Sequence, residues 1–222
     1  MSRRNELKGD HMIYNDELYH YGVKGMKWGV RRYENRNGEL ILPKGTVVKR
    51  VSTSKEDPIY DNKKYVSINQ KDHSKLEAYL GKAYIDRNMT TWNQTYKTTK
   101  DLRVMSSTQQ GKLFVDMMLK DKRFKEQALK DIEYSDRSLH QKSVDDPAEN
   151  ISRNLAMQTE TGKAFMKKVL ENNYDAVVDT HGTNLSKDPL IVLNPDINLS
   201  RSSEPEYTEP VKKFLKRYGV KV

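Results

Sequence analysis

The apolar residues of this chain come in short runs, and that limits its fold more than any other feature. Leu190-Ile-Val-Leu193 lies between Asp188-Pro189 and Asn194-Pro195, and Tyr174-Asp-Ala-Val-Val-Asp179 is bounded by polar turn formers. Runs of this length are too brief for a buried helix and read as buried strands. Thr46–Ser52 and Tyr65–Ile68 are rich in β-branched and aromatic residues and predict two more strands; Thr90–Thr99 and Leu102–Met105 predict another one or two. Asn37-Gly38 and Pro43-Lys44-Gly45 read as turns.

Helical spacing alternates with these runs. Ser74 and Glu77 have the spacing of a capping box, followed by a stripe of Leu76, Tyr79, Leu80, Ala83 and Tyr84 that tolerates Gly81. Leu113, Phe114, Met117, Phe124, Ala128 and Ile132 predict one helix over 111–132, with a polar loop over 133–146. Pro147 suits a first helical turn, and Gly162 divides that helix from a second carrying Phe165, Val169 and Leu170. After a polar linker at 200–209, Val211, Phe214, Leu215 and Tyr218 predict a short amphipathic helix closed by Gly219. The expectation is an α+β fold in three parts: an arm over 1–36, a domain over 37–199, and a linker with a C-terminal helix over 200–222.

Composition narrows the chemistry. There is no cysteine, which excludes disulfides, thiolate metal sites and cysteine nucleophiles. The five histidines are scattered without ligand spacing, so no metal site is expected. No apolar run is long enough to span a bilayer and the N-terminus has no apolar signal core, which predicts an intracellular protein with no membrane partner. The net charge of +9 admits nucleic acid as a partner, although 40 basic residues interleave with 31 acidic ones as on an ordinary solvated surface. No glycine-rich loop joins a strand to a helix, so neither a P-loop nor a dinucleotide fingerprint is present.

Two positions invite a functional reading. Asp179 ends a strand beside His181, an arrangement that serves either turn formation or a polar site. Arg50 stands inside an apolar strand, where a guanidinium either faces solvent or meets an anion whose geometry suits its fork.

The Arg50 strand also carries a resemblance. Gly45-Thr-Val-Val-Lys-Arg50-Val-Ser52 resembles the first core strand of ADP-ribosyltransferases, and Tyr65-Val-Ser67-Ile resembles the strand that follows it. Asn173–Asp179 and Pro189–Pro195 are similar to the closing strands of phage and toxin members. The resemblance implies a split mixed sheet flanked by helices, and NAD as cofactor. It gives Arg50 and Ser67 the roles of dinucleotide and nicotinamide-ribose contacts, with Ser52 and His181 beside them. The family's catalytic glutamate aligns with Pro189, which has no acid. Asp188, Asp179 or Glu171 would have to substitute, and a one-residue shift on a strand reverses the face its side chain meets.

In the arm, Tyr21-Gly-Val-Lys24-Gly-Met-Lys27-Trp28-Gly-Val-Arg31-Arg32 resembles a segment found near the termini of phage and prophage proteins of Gram-positive bacteria. It implies a phage origin, residence in the host cytoplasm, and packaging in the virion as a further option. Trp28 has the character of an anchor in an apolar pocket, with Lys24, Lys27, Arg31 and Arg32 meeting an acidic rim on a host or phage protein. Two functions follow as expectations: a binding protein on a transferase-like scaffold, or an active NAD-dependent ADP-ribosyltransferase.

Overall fold

The computed structural model describes residues 33–36, 38–59, 61–139, 159–179 and 189–221. Ten strands lie among them: β1 (Glu34–Arg36), β2 (Glu39–Leu42), β3 (Val47–Ser52), β4 (Lys63–Ser67), β5 (Trp92–Thr98), β6 (Leu102–Met105), β7 (Ala176–Val178), β8 (Pro189–Leu193), β9 (Leu199–Arg201) and β10 (Glu206–Tyr207). The helices are α1 (Gln70–Ile85), α2 (Ser107–Lys120), α3 (Lys122–Leu139), α4 (Glu160–Glu171), the single-turn α5 (Pro195–Asn198) and α6 (Glu209–Arg217). The fold is α+β, as the alternation of short apolar runs with helical stripes predicts.

The strands form one mixed sheet in the order β1-β2-β6-β7-β8-β4-β3-β5-β10, with β9 also paired to β5. Only β6 and β7 run parallel. Pairing is continuous along β4 and β8, from Lys63↔Leu193 to Ser67↔Pro189, and along β3 and β5, from Val47↔Lys97 to Ser52↔Trp92. Between β3 and β4 the register has a single pair, Lys49↔Ser67. The sheet therefore divides there into a larger part ending at β4 and a smaller part beginning at β3.

Each part buries what its alternation dictates. Val48, Tyr96 and Leu199 of the smaller part join Leu42, Val66, Leu102, Val104, Ala176, Leu190 and Val192 of the larger in one core. The opposite face of the larger part, with Met105, Val177, Ile191 and Leu193, is covered by Phe114, Phe124, Ala128, Phe165 and Val169 of α2, α3 and α4. All five residues of β8 are buried, which explains why its sequence is a continuous apolar run.

Several local expectations need correction. The stripe over 111–132 is two helices: Ser106 and Gln109 form a capping box that starts α2, and Asp121 interrupts the run. Its Oδ1 accepts from the backbone N–H groups of Arg123 and Phe124 and so caps α3. That helix extends to Leu139, into the segment expected to be loop. Helix α1 begins at Gln70, so Ser74 is interior to it, and Glu77 is turned to other partners. Thr159 caps α4 by accepting from the Gly162 N–H at 3.1 Å, placing Gly162 in a first turn. The supposed linker at 200–209 supplies the end of β9 and β10, both edge-paired to β5. The helix expected from Pro147 lies outside the described residues.

Candidate functional site

The polar centre of the described chain lies where the sheet divides. Arg50 shares the face of Val48, and Lys64 shares the face of Val66, so both cations point toward the interior shared by the two parts. Buried cations at such positions require an anion. It comes from the connection between β3 and β4, where Asp57 adopts a left-handed φ of 49° that turns its side chain inward to 1% exposure. Arg50 Nε donates to Asp57 Oδ1 at 2.9 Å. Lys64 Nζ and the Tyr96 hydroxyl donate to Oδ2 at 2.8 and 2.6 Å. The Lys64 ammonium also lies 4.6 Å from the centre of the Tyr96 ring.

The segment carrying Asp57 is held by side chains rather than by a ladder. Ser54 O accepts from Ser52 Oγ and Gln94 Nε2, and Lys55 O from Gln94 Nε2. Glu56 O accepts from Arg201 Nη2, and Asp57 O from Lys64 Nζ. Four consecutive carbonyls are thus satisfied by donors from β3, β4, β5 and β9, which is how an irregular segment can seal a core.

Charge in this cluster is uneven. Burial raises the Asp57 pKa, but Arg50, Lys64 and the Tyr96 hydroxyl together bring it below the ordinary carboxylate value. Burial, with the charges of Arg50 and Arg201, lowers that of Lys64, and the bond to Asp57 and its charge offset only part of this. The carboxylate is therefore the firmly ionised partner. Burial and the neighbouring carboxylate push the Tyr96 phenol up to about 12, so it remains a donor.

Arg50 and Ser67 are not brought together. Ser67 pairs with Lys49 in β3 and Pro189 in β8, and its alternation with Val66 places it on the other face from Arg50. The Arg50 side chain reaches the Ser67 strand only at the backbone of Tyr65, where its Nη1 donates to Tyr65 O at 3.3 Å. Ser67 is buried, and Ser52 is engaged with the 53–57 segment. Asp179 is buried at the end of β7, with its N–H bonded to Pro189 O. Tyr65, whose hydroxyl is buried without a hydrogen-bond partner, has its pKa raised by burial and then by the Asp179 charge. Glu171 is exposed and paired with Lys168 at the end of α4. Asp188, His181, Lys24, Lys27, Trp28, Arg31 and Arg32 lie outside the described residues.

Sequence reasoning reached Arg50 but missed Asp57, Lys64, Tyr96, Gln94 and Arg201. A signal was available in Lys64, which stands two residues before the core residue Val66 and so must point inward.

A second polar group joins α1 to the C-terminal helix. His73 Nε2 pairs with Asn93 Oδ1 at 3.0 Å, Asn93 Nδ2 donates to Glu77 Oε1, and that oxygen accepts the Glu209 N–H at the start of α6. Glu77 thus meets the positive end of a neighbouring helix rather than completing a box in its own.

Comparison with known proteins adds one match. The model described as "Family of unknown function (DUF7211)" matches residues 12–35. It covers part of the arm, with the first two residues of β1, and none of the groups around Asp57. No curated protein matches the chain, and no solved structure does.

Set against NAD, the described residues do not fit the cofactor as they stand. Arg50 Nε is taken by Asp57 and its Nη1 by Tyr65 O, and the position opposite Ser67 is Pro189. No helix among the described residues is long and apolar enough to cross a membrane.

Proposed function

We propose that the chain is a phage-derived binding protein, built on an ADP-ribosyltransferase-like scaffold, that acts on a host component by association rather than by group transfer. The observation that carries this reading is the Arg50–Asp57 pair. The guanidinium that the resemblance assigns to a dinucleotide is held by a carboxylate of the same chain, itself bound by two further donors. The absence of an acid at Pro189 points the same way. The arm resemblance supports the phage origin and supplies, in Trp28 and its flanking cations, a contact surface for a host or phage protein.

NAD-dependent ADP-ribosyl transfer is the second reading. It has one observation in its favour: Ser67 is paired with Pro189, the position with which the family's acid aligns, so the two resembling strands are neighbours.

Host lysate incubated with the protein and radiolabelled NAD distinguishes the two. We expect no protein-dependent label, and affinity capture of a defined partner that Trp28→Ala releases. Label transfer that disappears in Arg50→Ala would establish the enzyme and overturn the binding reading.

A further inference from the structure

We infer that α6 presents a binding surface for single-stranded nucleic acid. The helix docks on α1 through Val211, which is 4% exposed, through Pro210 against Gly81, and through the Glu77 carboxylate at its N-terminus. Those contacts do not use its aromatic residues. Phe214 and Tyr218 are 42% and 73% exposed, one turn apart, with ring centres 5.0 Å from each other. Two neighbouring rings left in water beside an already buried apolar stripe form a surface with the character of a contact site.

The cations beside them indicate what it contacts. Some lysines on other helices are matched one turn away, as Lys120 is by Asp116, Lys163 by Glu160 and Lys168 by Glu171. On α6, Lys212 is matched by Glu206 and Glu209. Lys213, Lys216, Arg217 and, past the turn, Lys221 are exposed and form no ion pair among the described residues. By helical spacing Lys213 and Arg217 form a stripe next to that of Phe214 and Tyr218. Bases stacked on the rings would bring their phosphates to this stripe, the pairing by which sequence-tolerant single-strand sites are built. An acidic polypeptide would answer the cations and leave the rings unused. A duplex would hide its base faces. The surface is separate from the Asp57 cluster and stands whichever reading of that cluster holds.

Fluorescence anisotropy with a labelled oligothymidylate of about 12 nucleotides tests it on the full chain. Binding should weaken steeply between about 50 and 200 mM salt. Phe214→Ala with Tyr218→Ala should weaken it about thirtyfold or more at an unchanged salt slope, with thermal melting unaltered. Phe214→Trp should retain affinity and report binding by quenching. Lys213→Gln with Arg217→Gln should reduce the slope by roughly 1.4, two single-strand phosphate contacts. The proposal is overturned if the oligonucleotide does not bind at the lower salt, if the double alanine variant binds as wild type does, or if polyglutamate or duplex DNA binds more tightly.

Discussion

At the scale of single residues, Asp57 carries more of the structure than its place in an irregular segment suggests. It is the shared counter-ion of Lys64, at 5% side-chain exposure, and half-buried Arg50, and its own segment is anchored by the donors around it. A buried pair contributes little compared with an apolar replacement, but breaking one from a single side leaves a buried charge unanswered. Asp57→Asn should therefore cost about 3–5 kcal/mol in denaturant unfolding. Asp57→Asn combined with Lys64→Met keeps a residue that tolerates the left-handed φ and should cost markedly less than Asp57→Asn alone. Equal losses would show that the Lys64 charge is not what makes the carboxylate necessary. This cluster was only half legible in the sequence. Arg50 drew attention because it interrupts an apolar run, whereas Asp57 lies beyond the end of its strand and reaches the core by a left-handed turn that local pattern does not announce.

At the scale of elements, most strands follow from their residues, because burial on one or both faces writes itself into alternation or continuous apolarity. The errors fall where a tertiary partner decides. Glu77 has capping-box spacing to Ser74 yet serves α6, and residues 200–209 look like a linker because the edge strands they contribute to need few apolar residues. Gly81 illustrates the same dependence. An added Cβ would lie 2.7 Å from Pro210 Cγ, with the rest of that ring at 3.1 and 3.2 Å, and a proline ring has little freedom to yield. In α2, a Cβ at Gly111 would meet nothing within 4 Å. Alanine is favoured over glycine in a helix by about 1 kcal/mol, so Gly111→Ala should stabilise the protein by up to that amount. Gly81→Ala should do the reverse and undock α6, seen as faster hydrogen exchange over 209–217. Protection unchanged in both variants would mean that α6 does not rely on the Gly81 contact.

Over the whole molecule, acid should act in two stages, because two buried groups resist protonation at different pH. Burial lowers the His73 pKa, the nearby Lys49 charge lowers it further, and its bond to Asn93 and the Glu77 charge recover only part. The folded protein therefore keeps His73 neutral where the unfolded chain, with a value of about 6.5, already binds a proton. Because the unfolded state then holds more protons, stability falls as pH drops below about 6.5 toward the lower folded value. Asp57 is also held below its ordinary value, so its contribution is complete above about 4 and is lost as pH falls further, through its folded pKa. Protonated His73 would place a buried charge next to the Asn93–Glu77 link that starts α6, so the first stage should loosen α1 and α6 while the sheet junction stays closed. The second should open the 53–57 segment, since Asp57 binds cations from both parts of the sheet. Denaturant melts across this range should show a slope below about pH 6.5 that His73→Gln flattens. A slope identical in the variant would assign the first stage to another group.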